Sequence, residues 1–118
     1  MSLFNSKELS QALSVKVDQN FSFDEISIDS RNLKKNSLFF PIKGKNFNGH
    51  DFILSAFKNG AIASIVEEKQ VKKINKSLFS NRILIPVKDS LKALQDFSIY
   101  IRKRPNNLNM ICITGSNG

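Results

Sequence analysis

The alternation of apolar and polar positions predicts short strands and helices that follow one another along the chain. Two apolar runs of strand length, 38–42 and 61–66, flank an amphipathic segment at 51–59. A third run at 82–87 precedes a longer amphipathic segment that ends near Lys103. Strands that alternate with helices are typical of βαβ units with parallel strands. The pattern predicts an α/β fold in which helices flank a small mixed sheet.

Capping signals mark the ends of several predicted helices. Asn5 and Glu8 form a capping-box pattern at the start of an opening helix, and Asp89 precedes the long helix as an N-cap. Gly60 follows the 51–59 helix, where a left-handed residue is favoured. The positions expected to face the core are Phe52, Ile53, Ala56 and Phe57 in the 51–59 helix, and Leu91, Leu94, Phe97, Ser98 and Ile101 in the long helix.

Size and composition are those of one globular domain. The chain has 118 residues, of which 41% are hydrophobic and 24% charged. Its apolar runs are far shorter than the roughly 20 residues that cross a bilayer, and its first residues do not resemble a secretory signal. The single cysteine, Cys112, stands among apolar residues, as expected of a buried strand position in a reducing compartment. We expect a cytoplasmic protein without a membrane partner.

The net charge of +8 raises the alternative of a nucleic-acid partner. The lysines are spread along the chain, however, and none of the local groups is interleaved with aromatic residues that stack on bases. The lysine-rich segment 67–80 has Val71, Ile74 and Leu78 at helical spacing, which predicts a short surface helix. We therefore expect no nucleic-acid partner, whereas a small molecule that carries phosphate also suits a basic protein.

Two polar segments follow predicted strands and form the candidate site. The first follows Ile26 and Ile28, which point to one face of a strand over 25–29, and consists of Asp29, Ser30 and Arg31. The second lies between a strand and a helix and consists of Gly44, Lys45, Asn46, Phe47, Asn48, Gly49 and His50. Its glycines predict positive φ angles and free backbone N–H groups, and a helix N-terminus follows. This arrangement favours an anion such as a diphosphate.

Plainer interpretations of these residues stay open on spacing alone. The Asp29 triplet is equally compatible with a strand-end turn that contains a local Asp–Arg pair, and His50 with an ordinary N-cap residue. A metal site is not supported, because the sequence has one histidine and one remote cysteine. Ser30, His50 and Asp51 lack the nucleophile elbow of a serine hydrolase. No catalytic residue is assigned.

The last residues resemble the start of a phosphate loop. A predicted strand over 110–113 is followed by Thr114, Gly115, Ser116, Asn117 and Gly118. The lysine that reaches the phosphates and the hydroxyl that holds magnesium in such loops are not among these residues. We expect that the 118 residues alone do not hydrolyse ATP.

The motif that begins DSRNLKKNSLFFPIKGKNFNGHDF and continues into a helix ending in Gly-Ala resembles the N-terminal domain of the Mur ligases. ITGSNG resembles the start of that family's phosphate loop. The resemblance implies that residues 1–104 form an α/β domain that binds the UDP end of a UDP-N-acetylmuramoyl peptide through the two polar segments. It also implies that 105–118 are a linker, a first strand and a partial phosphate loop of an ATPase domain that needs ATP and Mg²⁺.

Within this family, the sequence of the loop most resembles that of the branch that joins D-alanyl-D-alanine to UDP-N-acetylmuramoyl-tripeptide. The alternatives are the branch that adds the diamino acid at the third peptide position, and a binding module or split-gene remnant without catalytic function. Two departures are Asn48, where the family usually has aspartate, and Asn36-Ser37, where it usually has Gly-Asp. The resemblance further implies a monomer.

Overall fold

The computed structural model describes residues 3–45, 48–74, 76–104 and 113–114. Two short 3₁₀ helices, Gly49–Phe52 and Lys76–Phe79, supplement the regular elements. The strands are β1 Phe4–Asn5, β2 Ser22–Phe23, β3 Glu25–Ser27, β4 Ser37–Phe39, β5 Ala61–Glu67, β6 Ile83–Val87 and β7 Ile113–Thr114, and the helices are α1 Ser6–Leu13, α2 Ile53–Lys58, α3 Glu68–Val71 and α4 Ser90–Arg102.

Five of the strands form a parallel sheet in the order β6-β5-β4-β3-β7. The antiparallel pairing lies in a separate ribbon, in which β1 pairs with β2. The predicted α/β class, with a sheet flanked by helices, is confirmed. The sheet itself is parallel rather than mixed, because the antiparallel pairing is confined to the β1–β2 ribbon. Ile113 and Thr114 of β7 pair with β3. The predicted division of the chain into two parts at residue 104 stays a prediction.

Side chains alternate between the two faces of the sheet and build a core on each. Leu38 and Phe40 contribute to the larger core, which includes residues of α1 and α4, whereas Phe39 between them contributes to the smaller core with α2. A parallel sheet is typically buried on both faces in this way, because its crossover helices lie against them. The two layers of helices leave the carboxyl ends of the strands as the open edge at which loops gather.

The capping predictions agree with the structure. The Asn5 side chain accepts from the Glu8 backbone N–H at 2.9 Å, and the Glu8 carboxylate accepts from the Asn5 N–H at 3.1 Å. Asp89 caps α4 by accepting from the Lys92 N–H at 3.1 Å. Asn59 is the C-cap of α2, and Gly60, directly after it, has φ of +121°, a positive value as predicted.

Two of the predicted inward positions are wrong. Phe52 is 43% exposed because it belongs to the 3₁₀ helix Gly49–Phe52, whose tighter turn changes the phase of the side chains before α2 begins. Leu91 is 49% exposed, and Ala93 takes the buried position near the start of α4. Ile53, Ala56, Phe57, Phe97 and Ile101 are buried as predicted.

The single helix predicted over 67–80 is also wrong. Glu67 ends β5, and the segment that follows contains α3 and the separate 3₁₀ helix Lys76–Phe79. The strand predicted over 38–42 ends at Phe39, and β4 lies between β3 and β5 in the sheet. Pro41 lies beyond the strand end, which suits a residue that has no backbone N–H to donate to a sheet.

Phe97 should be the most costly aromatic to remove from the larger core. It is fully buried, and its ring centroid lies 5.5 Å from that of Phe4 and 5.7 Å from that of Phe23. Phe97→Ala should lower the free energy of unfolding by about 3–5 kcal/mol, measured by urea denaturation. Ile99→Ala is the control on the same helix, since Ile99 is 43% exposed and should change stability by less than about 0.5 kcal/mol. Equal effects of the two substitutions would contradict this packing.

Candidate functional site

The two predicted polar segments lie at the carboxyl edge of the parallel sheet. Asp29, Ser30 and Arg31 follow β3, and the loop that reaches Gly49 follows β4, its neighbour in the sheet. Ligands of parallel α/β sheets commonly bind at this edge, where loops rather than helices cover the strand ends. The structure therefore places both segments on the same side of the molecule. Asn46 and Phe47, which also belong to the predicted site, lie outside the described residues.

The Asp29 carboxylate organises the turn after β3. It accepts from the Arg31 backbone N–H at 2.9 Å and from Arg31 Nε at 3.2 Å, and Asn32 Nδ2 donates to it at 3.2 Å. The bond from the Arg31 backbone, followed by that from its side chain, lowers the pKa of Asp29 below its ordinary value. The local Asp–Arg pair is thus present, and it leaves the Arg31 side chain 83% exposed.

Ser30 is buried beside this turn and is tied to the end of α2. Its backbone carbonyl accepts from Asn59 Nδ2 at 2.7 Å, and the residue is 5% exposed. Asp29 is held in addition from β3, because Ser27 Oγ lies 3.0 Å from the Asp29 carbonyl and 3.1 Å from its backbone nitrogen. The turn has a fixed shape and presents the Arg31 guanidinium to solvent.

The second segment is a closed loop with exposed cations. The two stems of the loop meet at an antiparallel β-bridge between Lys43 and Asn48. They also meet where the Gly49 N–H donates to the Ile42 carbonyl at 2.9 Å. Lys43 and Lys45 are exposed. The prediction of a free amide is therefore wrong for Gly49, because that amide closes the loop.

Gly49 is required by close approach and not by a positive φ angle. Among the described glycines, Gly60 is the one with positive φ. A Cβ at residue 49 would clash with the Ile42 backbone nitrogen and would lie 2.7 Å from the Ile42 oxygen and 2.9 Å from the Pro41 carbonyl carbon. The backbone of the two stems is packed too closely for any side chain at this position.

His50 is buried and is hydrogen-bonded through both ring nitrogens. It is 8% exposed, its Nδ1 lies 2.8 Å from Asn48 Oδ1, and its Nε2 accepts from the Glu67 backbone N–H at 3.0 Å. An amide oxygen only accepts, so Nδ1 carries the hydrogen and the ring is neutral. The N-cap of the 3₁₀ helix is Asn48, which accepts from the His50 N–H at 3.0 Å, so the alternative of His50 as the N-cap is wrong.

Burial lowers the pKa of His50 below its ordinary value of 6.5. The Lys43 charge lowers this pKa further, whereas the charges of Glu67 and Asp51 oppose the shift. The neutral ring that the hydrogen bonds require is therefore also the form that burial favours.

Glu67 and Ser90 join the site although the sequence patterns did not indicate them. The Glu67 carboxylate accepts from the Ser90 backbone N–H at 2.9 Å, and Ser90 Oγ lies 2.5 Å from the Pro41 carbonyl. Along the chain, Glu67 is 23 positions from Ser90, and Pro41 is 49 positions from Ser90. The one signal for these contacts is positional, since Glu67 lies at the end of a strand and Ser90 at the start of a helix.

The arrangement is suited to binding an anion rather than to acid–base chemistry. Arg31, Lys43 and Lys45 offer exposed cations at one edge, while the ring nitrogens of His50 are already bonded within the protein. Across the described ranges, no group of three or more metal-ligating side chains occurs. In the same part of the chain, no helix is long and apolar enough to cross a membrane.

A separate groove of about 620 Å³ lies between the end of α1 and the turn from β6 to α4. It does not include the Asp29 turn or the loop that follows β4. Its charged lining is mixed, with Lys16, Lys88, Lys92, Glu68, Asp89 and Asp96. Because these charges balance, the groove has no evident preference for an anion.

The family of the chain is shown by comparison with known proteins. A family profile described as "Mur ligase family, catalytic domain" matches residues 22–102. This match covers more than half of the chain, and the chain belongs to the Mur ligase family.

Relatives of two kinds are equally similar in sequence. A UDP-N-acetylmuramoyl-L-alanyl-D-glutamate–2,6-diaminopimelate ligase 2 from Clostridium acetobutylicum is 37% identical over 88% of this chain and 21% of its own length. A UDP-N-acetylmuramoyl-tripeptide–D-alanyl-D-alanine ligase from Rickettsia prowazekii is also 37% identical, over 98% of this chain and 24% of its own length. The chain thus spans about a fifth to a quarter of the relatives it matches.

A solved structure shares the fold. The UDP-N-acetylmuramoylalanyl-D-glutamyl-2,6-diaminopimelate–D-alanyl-D-alanyl ligase from Acinetobacter baumannii superposes with a TM-score of 0.67 and 25% identity, over 85% of this chain and 22% of that one. The predicted α/β fold of a Mur ligase N-terminal domain is consistent with this neighbour.

Acid should destabilise the protein through His50. Between pH 6.5 and the lowered pKa, the unfolded chain binds a proton at His50 that the folded chain does not. The free energy of unfolding should therefore fall as the pH falls through this window. Urea denaturation at about pH 7.5 and about pH 5.5 measures the effect, and His50→Gln, which removes the one histidine of the sequence, should reduce it. A gain of stability on acidification of the unsubstituted protein would contradict the assignment.

Gly49→Ala should destabilise the loop stems. The added methyl group meets backbone atoms of Pro41 and Ile42, which cannot move aside as a flexible side chain can. We expect a loss of about 1–3 kcal/mol in the free energy of unfolding, measured by thermal and urea denaturation. Asp51→Ala, at an exposed position in the same 3₁₀ helix, is the control and should cost less than about 0.5 kcal/mol. A fully stable Gly49→Ala protein would rule out the close approach.

Proposed function

We propose that this chain is the part of a Mur ligase that binds the UDP end of a UDP-N-acetylmuramoyl peptide. The observation that carries the proposal is the placement of three exposed cations, Arg31, Lys43 and Lys45, on two rigidly held turns at the carboxyl edge of the sheet. A diphosphate carries the complementary charge, and pairing with guanidinium and ammonium groups is a common mode of phosphate recognition. Similarity to relatives named for UDP-N-acetylmuramoyl substrates supports the same ligand class.

The proposed reaction of the longer protein is the ATP-dependent joining of D-alanyl-D-alanine to UDP-N-acetylmuramoyl-tripeptide. This branch is supported by the sequence of the loop. It is also supported by the Rickettsia prowazekii relative, which is matched over 98% of this chain. The alternative is addition of the diamino acid, supported by the Clostridium acetobutylicum relative at the same 37% identity. ATP-dependent phosphate release by the longer protein with each pair of substrates would distinguish the branches.

No step that involves ATP or Mg²⁺ is assigned to this chain. Of the predicted phosphate-loop residues, Thr114 is described and Gly115, Ser116, Asn117 and Gly118 lie outside the described residues. The residues that can be described support recognition of the substrate and not its activation.

NMR titration with UDP-N-acetylmuramoyl-tripeptide tests the proposed binding. We expect the largest amide shifts at Ser30 and over 44–50, and UDP alone should shift the same signals. Arg31→Gln or Lys43→Gln should weaken binding by roughly three- to tenfold, because each removes a charge that pairs with the diphosphate.

Lys103→Gln is the matched control, because Lys103 is exposed at the opposite end of α4 from the site. It should leave the affinity unchanged. Shifts confined to residues outside Ser30 and 44–50, for example to the groove between α1 and α4, would refute the placement of the nucleotide.

A further inference from the structure

Glu67 connects the loop after β4 to the start of α4. Its backbone N–H donates to His50 Nε2 at 3.0 Å, so it holds one stem of the loop. Its carboxylate accepts from the Ser90 backbone N–H at 2.9 Å, where the N-terminus of α4 favours a negative charge. One residue at the end of β5 therefore contacts the loop through its backbone and the helix through its side chain.

Ser90 holds the other stem of the same loop. Its Oγ lies 2.5 Å from the Pro41 carbonyl and 3.0 Å from Glu67 Oε2, and its single hydrogen can be donated to either oxygen. Pro41 has no backbone N–H, so its carbonyl is the one main-chain group through which this position can be held. Ser90 is 2% exposed and cannot itself reach a ligand in solution.

The two contacts fix the stems from outside the loop. Pro41 and Ile42 form the first stem, Gly49 and His50 the second, and the Gly49 N–H to Ile42 bond joins them. Ser90 binds the first stem and Glu67 the second. These two bonds hold the base from which Lys43 and Lys45 project.

We propose that Glu67 and Ser90 are positioning residues for nucleotide binding, which hold the two loop stems, 41–42 and 49–50, in their binding geometry without touching the ligand. This inference rests on the proposed function, since it concerns the same nucleotide site. Binding beside stems that are already fixed costs less conformational entropy than binding beside stems that the ligand must order. Loss of the Ser90 hydroxyl should therefore weaken nucleotide binding although no ligand contact is removed.

The test compares four proteins: the unsubstituted chain, Ser90→Ala, Ser90→Thr and Ser98→Ala. Ser98→Ala is the matched control, because the Ser98 hydroxyl bonds the Leu94 carbonyl within α4 at 2.8 Å and contacts no part of the loop. The affinity for UDP-N-acetylmuramoyl-tripeptide is measured by calorimetry, and the amide signals of Ile42, Gly49 and His50 are recorded without ligand. Glu67→Ala, which removes the oxygen that accepts from the Ser90 N–H, is the second variant should Ser90→Ala fail to fold, and it should likewise weaken binding and shift the same amide signals.

We expect Ser90→Ala to weaken binding about fivefold, Ser90→Thr to restore it to within about twofold, and Ser98→Ala to bind normally. In the absence of ligand, Ser90→Ala should shift the three loop-stem amides and Ser98→Ala should not. A folded Ser90→Ala protein with unchanged affinity and unchanged amide signals would overturn the proposal.

The ligand-free measurement separates this inference from the function on which it rests. If the unsubstituted chain does not bind the nucleotide, the proposed function fails. Shifts of the Gly49 and His50 amides in Ser90→Ala would then still establish that Ser90 holds the loop, and unshifted amides would refute that as well.

Discussion

The close packing of the Gly49 backbone on Pro41 and Ile42 is the constraint on which the candidate site depends. Because no side chain separates the two stems, their backbones meet directly, and the Lys43–Asn48 bridge lies next to that contact. A ligand that binds beside stems already fixed in this way has less conformational entropy to remove. The base from which Lys43 projects therefore depends on backbone contact, whereas Arg31 is held by its hydrogen bonds to Asp29.

The neutral ring of His50 depends on the same stem and on the identity of Asn48. An amide oxygen accepts the Nδ1 hydrogen without adding a charge, whereas the aspartate usual in the family would favour the protonated imidazolium. A protonated Nε2 could not accept from the Glu67 N–H, and the link between loop and β5 would be lost. Asn48 is thus consistent with a histidine that serves as a structural connector in this chain.

The sequence predicted the elements of the site but not the contacts that hold them. Local signals such as the Asn5 cap and Gly60 act over a few residues, and their placement agrees with the structure. The inward prediction fails for Phe52, which lies in the 3₁₀ helix before α2, and for Leu91, which lies in the first turn of α4 where Ala93 is buried instead. Glu67 and Ser90 meet across 23 residues of chain, and no periodicity encodes such a pair.

Recognition and reaction separate naturally in a domain built this way. Polar groups buried at the sheet edge, such as His50 and Ser90, must be satisfied by protein partners, and their hydrogen-bonding capacity is then used within the fold. The groups left for a ligand are the exposed cations, which attract a diphosphate but neither transfer protons nor attack a carbonyl at neutral pH. Affinity should then come from charge and selectivity from the shape of the two turns.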